Sequence, residues 1–382
     1  NLNYPSVLSG DKNSPFYYQP KLTSVTIGNK VTSIKNYTFN GCTALKRLEI
    51  EDGESILALE YNIFSSGKLE YVYIGRDLSY NTSESYGYSP FYGNSKLISV
   101  TIGNEVTSIG ANAFRDCENL QSINIPNNVL SVNENAFSGC SSLASVSLGE
   151  QITAVASSTF LGCKSLESIV IPNSVTSIGN SAFSGCSGLV SLVIPNSVTS
   201  IGSSAFSGCK GLYSLTIGDG VSSIGNSAFY GCTNLNSVII PNGVTSIGSS
   251  AFSGCSGLES VVIGNGVTEI GSSTFSGCTA LTDLTIGSSV SSIGSSAFAN
   301  CNDIESIYAL NTKAITCDES IFATDTYNNA TLYVPEGREQ AYAKATPWSK
   351  FYIQTITEPT ESYDVTIGSA GYATLYLDYA VE

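Results

Sequence analysis

The chain has 382 residues, a net charge of −15 and only 12% charged residues, so its surface has to be built mostly from Ser, Thr, Asn and Gly. That acidic balance argues against nucleic acid and anionic membrane as partners. No apolar run reaches the ~18–20 residues of a membrane span, and the absence of His removes Ser-His-Asp triads, Cys-His dyads, His-ligated zinc and His general bases together.

The chain opens with neither Met nor a charged-then-apolar leader. Asn13-Ser-Pro-Phe16-Tyr17 and Lys21-Leu22-Thr-Ser-Val25 match Tyr88-Ser-Pro-Phe91-Tyr92 and Lys96-Leu97-Ile-Ser-Val100. Residues 1–20 therefore read as the tail of a repeat unit whose start lies upstream. Phe16 to Phe39 is 23 residues, Phe39 to Phe64 is 25 and Phe64 to Phe91 is 27, so inserted coils are expected at about 39–93.

The inserted stretch is rich in Tyr, Ser, Gly and Asn, a mixture that joins rigid contact area to adaptable hydrogen bonding. Repeat arrays also tend to carry insertions on their binding face. We expect a binding site formed by Arg47, Glu49, Tyr71, Tyr73, Arg76, Tyr80, Tyr86, Tyr88 and Tyr92. Arg47, Glu49, Tyr71 and Tyr73 take strand slots that regular units fill with Ser, Thr, Asn, Val or Ile, so they should project from a sheet face beside the inserted loop. A second reading makes the same rings packing residues that cover a longer coil.

From Phe114/Cys117 to Phe298/Cys301 the Phe and Cys pair returns every 23 residues. A stack of like coils explains this, because each coil buries its apolar side only against its neighbours. In the unit from Leu166 to Gly188, Ile169 and Ile171 alternate as in a strand, and Val175 and Ile178 form a second, shorter extended piece. Phe183, Cys186 and Leu189 are spaced by three, which suits a 3₁₀-like or single helical turn capped by Asn180 or Ser181. Leu166, Ile169, Ile171, Val175, Ile178, Ala182, Phe183 and Cys186 should point inward. Counting Phe markers gives fourteen coils, a column of roughly 65 Å at the spacing of stacked strands.

The repeated Cys slot reads as a buried column of small hydrophobes. Stacked neighbours about 5 Å apart lie beyond the ~3.5–4.5 Å between Cβ atoms that a disulfide needs. Cys317 sits off that column, where exposure is expected. Gly218-Asp-Gly220 and Gly264-Asn-Gly266 are turn glycines in the slot that Pro172-Asn-Ser174 fills elsewhere. After Ala309, Ala330–Pro335 reads as a strand, Glu336–Ala345 as a short helix ended by Pro347-Trp348, and Phe351–Ile356 as a closing strand. The expected organisation is a solenoid over 1–309, a capping segment over 310–356, a linker at 357–363 and the start of a truncated β module at 364–382.

The Leu-x-x-Val-x-Ile core is the leucine-rich repeat signature. Its continuation, Ile171-Pro-Asn-Ser-Val175-Thr-Ser-Ile178-Gly179-x-x-Ala182-Phe183-x-x-Cys186, resembles the BspA-like class of bacterial leucine-rich repeats, over about residues 14–356. Leu332-Tyr-Val-Pro-Glu-Gly337 through Pro347-Trp348 is similar to the closing segment of that class. The departures are the inserted coils and the Cys-free coils at Phe16, Phe64, Phe91 and Phe322.

The expected fold is a leucine-rich repeat solenoid. It is mainly β with short 3₁₀ or single-turn helices, its coils stacked into a parallel sheet with a C-terminal cap. The resemblance implies a secreted or surface-attached bacterial protein that adheres to a protein ligand, host extracellular matrix or another cell surface. It brings no catalytic residue, metal or cofactor, and the scattered carboxylates form no constellation, so no enzyme is expected. Exposed Tyr with Ser, Asn and acids also suits a carbohydrate-binding module, and a passive structural spacer is the third class.

Overall fold

In a computed structural model, which describes residues 7–8, 14, 16–64, 68–82 and 89–356, the chain winds as a succession of short strands and turns repeated coil by coil. The longer strands pair in parallel and in register, in three successive sheets of seven, two and six strands among the described residues. Ser24–Ile27, Arg47–Ile50, Tyr71–Ile74 and Ser99–Ile102 align Ser24 beside Arg47, Arg47 beside Tyr71, and Tyr71 beside Ser99. The same slot continues to Ser306–Ala309 and is extended by Thr331–Val334 and Tyr352–Thr355. A second ladder is built from two-residue strands, such as Ala154–Val155, Ser177–Ile178 and Ser200–Ile201.

The alternation of the sequence sets which side is wet. Leu166, Ile169, Ile171, Val175, Ile178, Ala182, Phe183 and Cys186 are all buried, as expected, while Ser168 and Val170 face out. Fourteen Phe rings from Phe16 to Phe322 stack in one column at centroid separations of 5.0–6.0 Å.

The turn that carries each Phe differs from expectation. No helix forms there in the regular coils. Ser181 adopts φ 54° and Gly185 φ 74°, so two left-handed residues break the segment into separate turns. Three-residue spacing survives as i→i−3 bonds, from Ser184 N–H to Ser181 O at 3.1 Å and Cys186 N–H to Phe183 O at 3.1 Å. The remaining amides point at the next coil. Ser181, Phe183 and Gly185 N–H groups donate to Ser203, Ala205 and Ser207 carbonyls at 2.9, 2.7 and 2.7 Å. A helix would satisfy those groups within its own coil. The left-handed residues spend them on cohesion between coils instead, and Gly meets no Cβ penalty in that conformation. Asn180 is likewise no helix cap, since its Oδ1 accepts from Ser203 N–H in the following coil at 2.8 Å.

Each ladder thiol has a partner. Cys186 Sγ–H donates to the carbonyl of Phe160 in the preceding coil at 3.2 Å, and the pattern runs from Cys42 on Phe16 to Cys301 on Phe275. The cysteines are free, and ten of the eleven are buried. Burial pushes Cys140 and Cys209 up to about 12. Cys317 is half-buried, and burial followed by the Asp318 charge lifts it to about 12 as well. Ladder thiols should therefore resist a charged, water-soluble thiol reagent at neutral pH until denaturant is added. Rapid native-state labelling, or bridges between ladder cysteines by mass spectrometry, would contradict the buried column.

The far end of the Phe column is closed by aromatics. Trp348 and Phe351 approach Phe322 edge-on at 5.9 and 5.4 Å. Fully buried Trp348 donates from Nε1 to Ile315 O at 2.7 Å, and the Tyr342 hydroxyl donates to Asn311 O at 3.0 Å. The expected linker at 357–363 and β module at 364–382 lie outside the described residues.

Candidate functional site

Period-two alternation on the longer strands gives two outward slots per coil. In several coils these hold Ser with Thr, Asn or Ser, as in Ser99 with Thr101 and Ser122 with Asn124. In two adjacent coils they hold Arg47 with Glu49 and Tyr71 with Tyr73. The strict register sets Arg47 beside Tyr71 and Glu49 beside Tyr73. The Arg47 guanidinium lies over the Tyr71 ring at 4.5 Å from its centroid, a cation–π contact. A groove of about 440 Å³ runs across this face, lined by these four side chains with Ser24, Thr26, Ser99 and Thr101 at its two sides.

Two contacts stiffen the groove. The Tyr73 hydroxyl donates to Asp52 Oδ1 at 2.6 Å, and that bond, then burial and the nearby carboxylates, pushes Tyr73 up to about 12. Thr26 Oγ1 donates to Glu49 Oε2 at 3.4 Å. Gly103 makes room, because a Cβ there would sit 2.8 Å from the Tyr73 hydroxyl and 2.9 Å from Asp52 Oδ1.

The other expected residues go elsewhere. Arg76 is fully buried, so it is not a surface contact. Its Nη1 donates to Asn29 O at 3.0 Å and Ser55 Oγ at 3.1 Å, and its Nη2 donates to Gly28 O at 3.0 Å. Desolvation lowers its pKa, partly opposed by Glu51. Tyr80 is a packing residue: its ring lies over Gly110, its hydroxyl donates to Ala111 O at 3.2 Å, and burial raises its pKa. Tyr92 sits beneath Arg115 at 5.5 Å, in the turn beside Phe91 and away from the sheet face. Tyr86 and Tyr88 lie outside the described residues. Tyr80 thus packs and Arg76 is buried on backbone carbonyls and Ser55, while Arg47, Glu49, Tyr71 and Tyr73 do share one face.

The insertions also sit differently from expectation. Ser33 pairs with Ala58, which places the first extra residues in the turn after Arg47–Ile50. Ala58 pairs with Ser79, so the larger insertion falls between Leu78–Ser79 and the Phe91 turn, a different corner of the coil. The groove therefore borders the turn holding Asp52. Asp52 went unnoticed in the sequence, as did a run of exposed Val and Ile in the outer slots from Val170 to Ile239. The signal for both was an unusual residue in a repeat slot.

Among the described residues no group of His, Cys, Asp and Glu comes together as a metal would require, and no helix is long and apolar enough to cross a membrane. The family model for the BspA type leucine rich repeat region matches residues 12–90, 84–213 and 199–329 in six copies. Among solved structures, a leucine-rich repeat protein from Bacteroides ovatus is 22% identical, with 90% of this chain and 86% of that one covered and a TM-score of 0.65. The pneumococcal vaccine antigen PcpA is 20% identical, with 93% and 83% covered and a TM-score of 0.51. At these identities the likeness is one of fold. No curated protein matches the chain.

Proposed function

The chain belongs to the BspA-type leucine-rich repeat family, and on that premise we propose that it is a bacterial surface or secreted binding protein whose ligand is another protein. The ligand we infer is a component of host extracellular matrix or of another cell surface. It is held on the sheet face at Arg47, Glu49, Tyr71 and Tyr73. One observation carries the reading: two adjacent coils replace small polar outer residues with Arg, Glu and two Tyr, in register, around a groove. Tyr and Arg are the side chains that dominate interface energetics. Arg47 and Glu49 offer both charges within one patch, which suits a mixed protein surface. The Tyr71 face already covered by Arg47 is a poor platform for a sugar ring.

Replacing Arg47, Tyr71 and Tyr73 together by Ser tests this, because regular coils carry Ser in the slot of Arg47 and Tyr71 and a smaller residue in that of Tyr73. Against a panel of extracellular matrix proteins, the variant should lose at least about 100-fold in affinity, with single truncations costing about 2 kcal/mol each. The unfolding midpoint should stay within about 1 kcal/mol of the parent. A variant that binds its matrix protein unchanged places the site elsewhere. Binding to a glycan array and not to protein, lost in the same variant, would move the assignment to carbohydrate. No ligand of either kind would leave the passive spacer.

A further inference from the structure

The regular coils carry a second surface that the groove does not account for. On the sheet face, the outer slot that holds Thr101, Asn124 and Ser147 in earlier coils holds Val170, Val193, Thr216, Ile239 and Val262 in five successive ones. Val170 is 81% exposed, Val193 57% and Ile239 58%. Val190 and Tyr213, just before their strands, are more than half exposed as well. Strand propensity does not require this, since Thr is β-branched too and serves the same slot elsewhere. An exposed apolar ribbon, interrupted by Thr216 and flanked by the Ser slot two residues earlier, marks an interaction site.

The chain as a whole is acidic at −15, and on the ribbon's own coils Glu167, Asp219 and Glu259 stand against Lys164 and Lys210. Glu167 and Glu259 are exposed on the ribbon's own coils, just before the strands of Val170 and Val262, and exposed Asp283 stands beside Ser260 in the next coil. A second copy of this chain would bring like charge to the ribbon, so a cationic partner fits better.

The ladder also limits the partner's shape. Backbone bonds link every coil of this stretch to the next, from Val190 N–H to Glu167 O at 3.1 Å, Tyr213 to Val190 at 2.9 Å, Asn236 to Tyr213 at 3.3 Å and Glu259 to Asn236 at 2.8 Å. These bonds close each coil on the next, so a partner lies on the face and not between coils. A segment lying on a face has to satisfy its own backbone groups, which a helix does. The coil spacing agrees: neighbouring Phe rings here stand 5.0–5.3 Å apart, close to the ~5.4 Å pitch of an α-helix. A helix laid along the column would set one apolar residue per turn against each coil.

We propose that the ribbon of Val170, Val190, Val193, Tyr213, Ile239 and Val262 docks a cationic amphipathic helix, its apolar stripe on the ribbon and its basic flank toward Glu167 and Glu259. The probe is a fluorescent amphipathic helix of Leu and Lys, titrated into the full chain, with a Leu and Glu helix of the same pattern as control. The expected result is saturable binding of the basic helix with a gain in helicity, weakened by salt. Val170→Thr, Val193→Thr and Ile239→Thr together should weaken it by at least about tenfold at an unchanged unfolding midpoint, because Thr keeps the β-branch. Glu167→Gln with Glu259→Gln should weaken it and flatten its salt dependence.

Absence of binding, equal binding of the acidic helix, or undiminished binding by the triple Thr variant would each overturn the proposal. So would loss of binding in the Arg47, Tyr71 and Tyr73 variant, which should leave the ribbon intact. That variant separates failure here from failure of the groove.

Discussion

Phe206→Ala is expected to destabilise the chain by about 3–5 kcal/mol, the range for emptying a buried aromatic site. The ring is fully buried and stacks on Phe183 and Phe229 at 5.2 Å each, with interplanar angles of 4° and 6°. The cost should fall at the upper end because the hole cannot close. Inter-coil amide bonds at 2.7 Å on both sides, Phe183 to Ala205 and Phe206 to Ala228, hold the neighbouring coils at their spacing. In a solenoid the loss enters twice, since one ring serves two coil interfaces. Urea unfolding followed by circular dichroism measures it, with Phe16→Ala as control at the half-exposed end of the column. A midpoint for Phe206→Ala no lower than that of Phe16→Ala would refute the view that the stacked rings are the main cohesion between coils.

The fold was legible because its determinants repeat. An inward Phe, Cys, Leu or Ile recurs in the same slot many times, so a single misreading cannot survive comparison with its neighbours. What one sequence hides is backbone conformation that several residue types can adopt. The left-handed slot is Ser in Ser181, Ser204 and Ser227 but Asn in Asn112 and Asn135, and Ser at a coil's corner looks like a helix cap. The outcome is decided by where the amides find acceptors, and the next coil wins because its carbonyls already stand in register.

The groove was half legible for a related reason. Arg47, Glu49, Tyr71 and Tyr73 stand in strand slots of fixed parity, so alternation alone places them outside. Arg76 and Tyr80 follow the strand, where no parity rule holds, and their long side chains turned to backbone carbonyls inside the coil. The ribbon of Val and Ile was visible residue by residue, but strand propensity offered a sufficient reason for each taken singly.

Arg76→Ala should cost about 2–4 kcal/mol and should do so locally. The guanidinium reaches from its own coil to Gly28 O, Asn29 O and Ser55 Oγ, so one side chain ties three successive segments of the N-terminal coils together. Two effects oppose each other. Charge-assisted bonds to neutral acceptors contribute about 1.5–3 kcal/mol each, whereas burying a charge without an ion pair costs several kcal/mol, and Nε itself has no partner among the described residues. The net value is therefore mainly volume and linkage.

Arg76→Met, which keeps most of the volume and relieves the desolvated charge, should cost about 1 kcal/mol less than Ala. Gly28 O keeps Val31 N–H at 3.0 Å, and Asn29 and Ser55 lie near water, so neither variant strands many groups. The turn from Glu51 to Ser55 loses its anchor, and with it Asp52, which fixes the Tyr73 hydroxyl at the groove. Amide exchange should accelerate in Ser24–Ile27 and Arg47–Ile50 and stay slow in Ser191–Ile194, because stacked coils open from an end without melting the array. Ligand affinity at the groove should fall in step with that exchange, although Arg76 touches no ligand. Uniform acceleration along the whole chain, or unchanged exchange at Arg47–Ile50, would show that Arg76 does not clamp the groove.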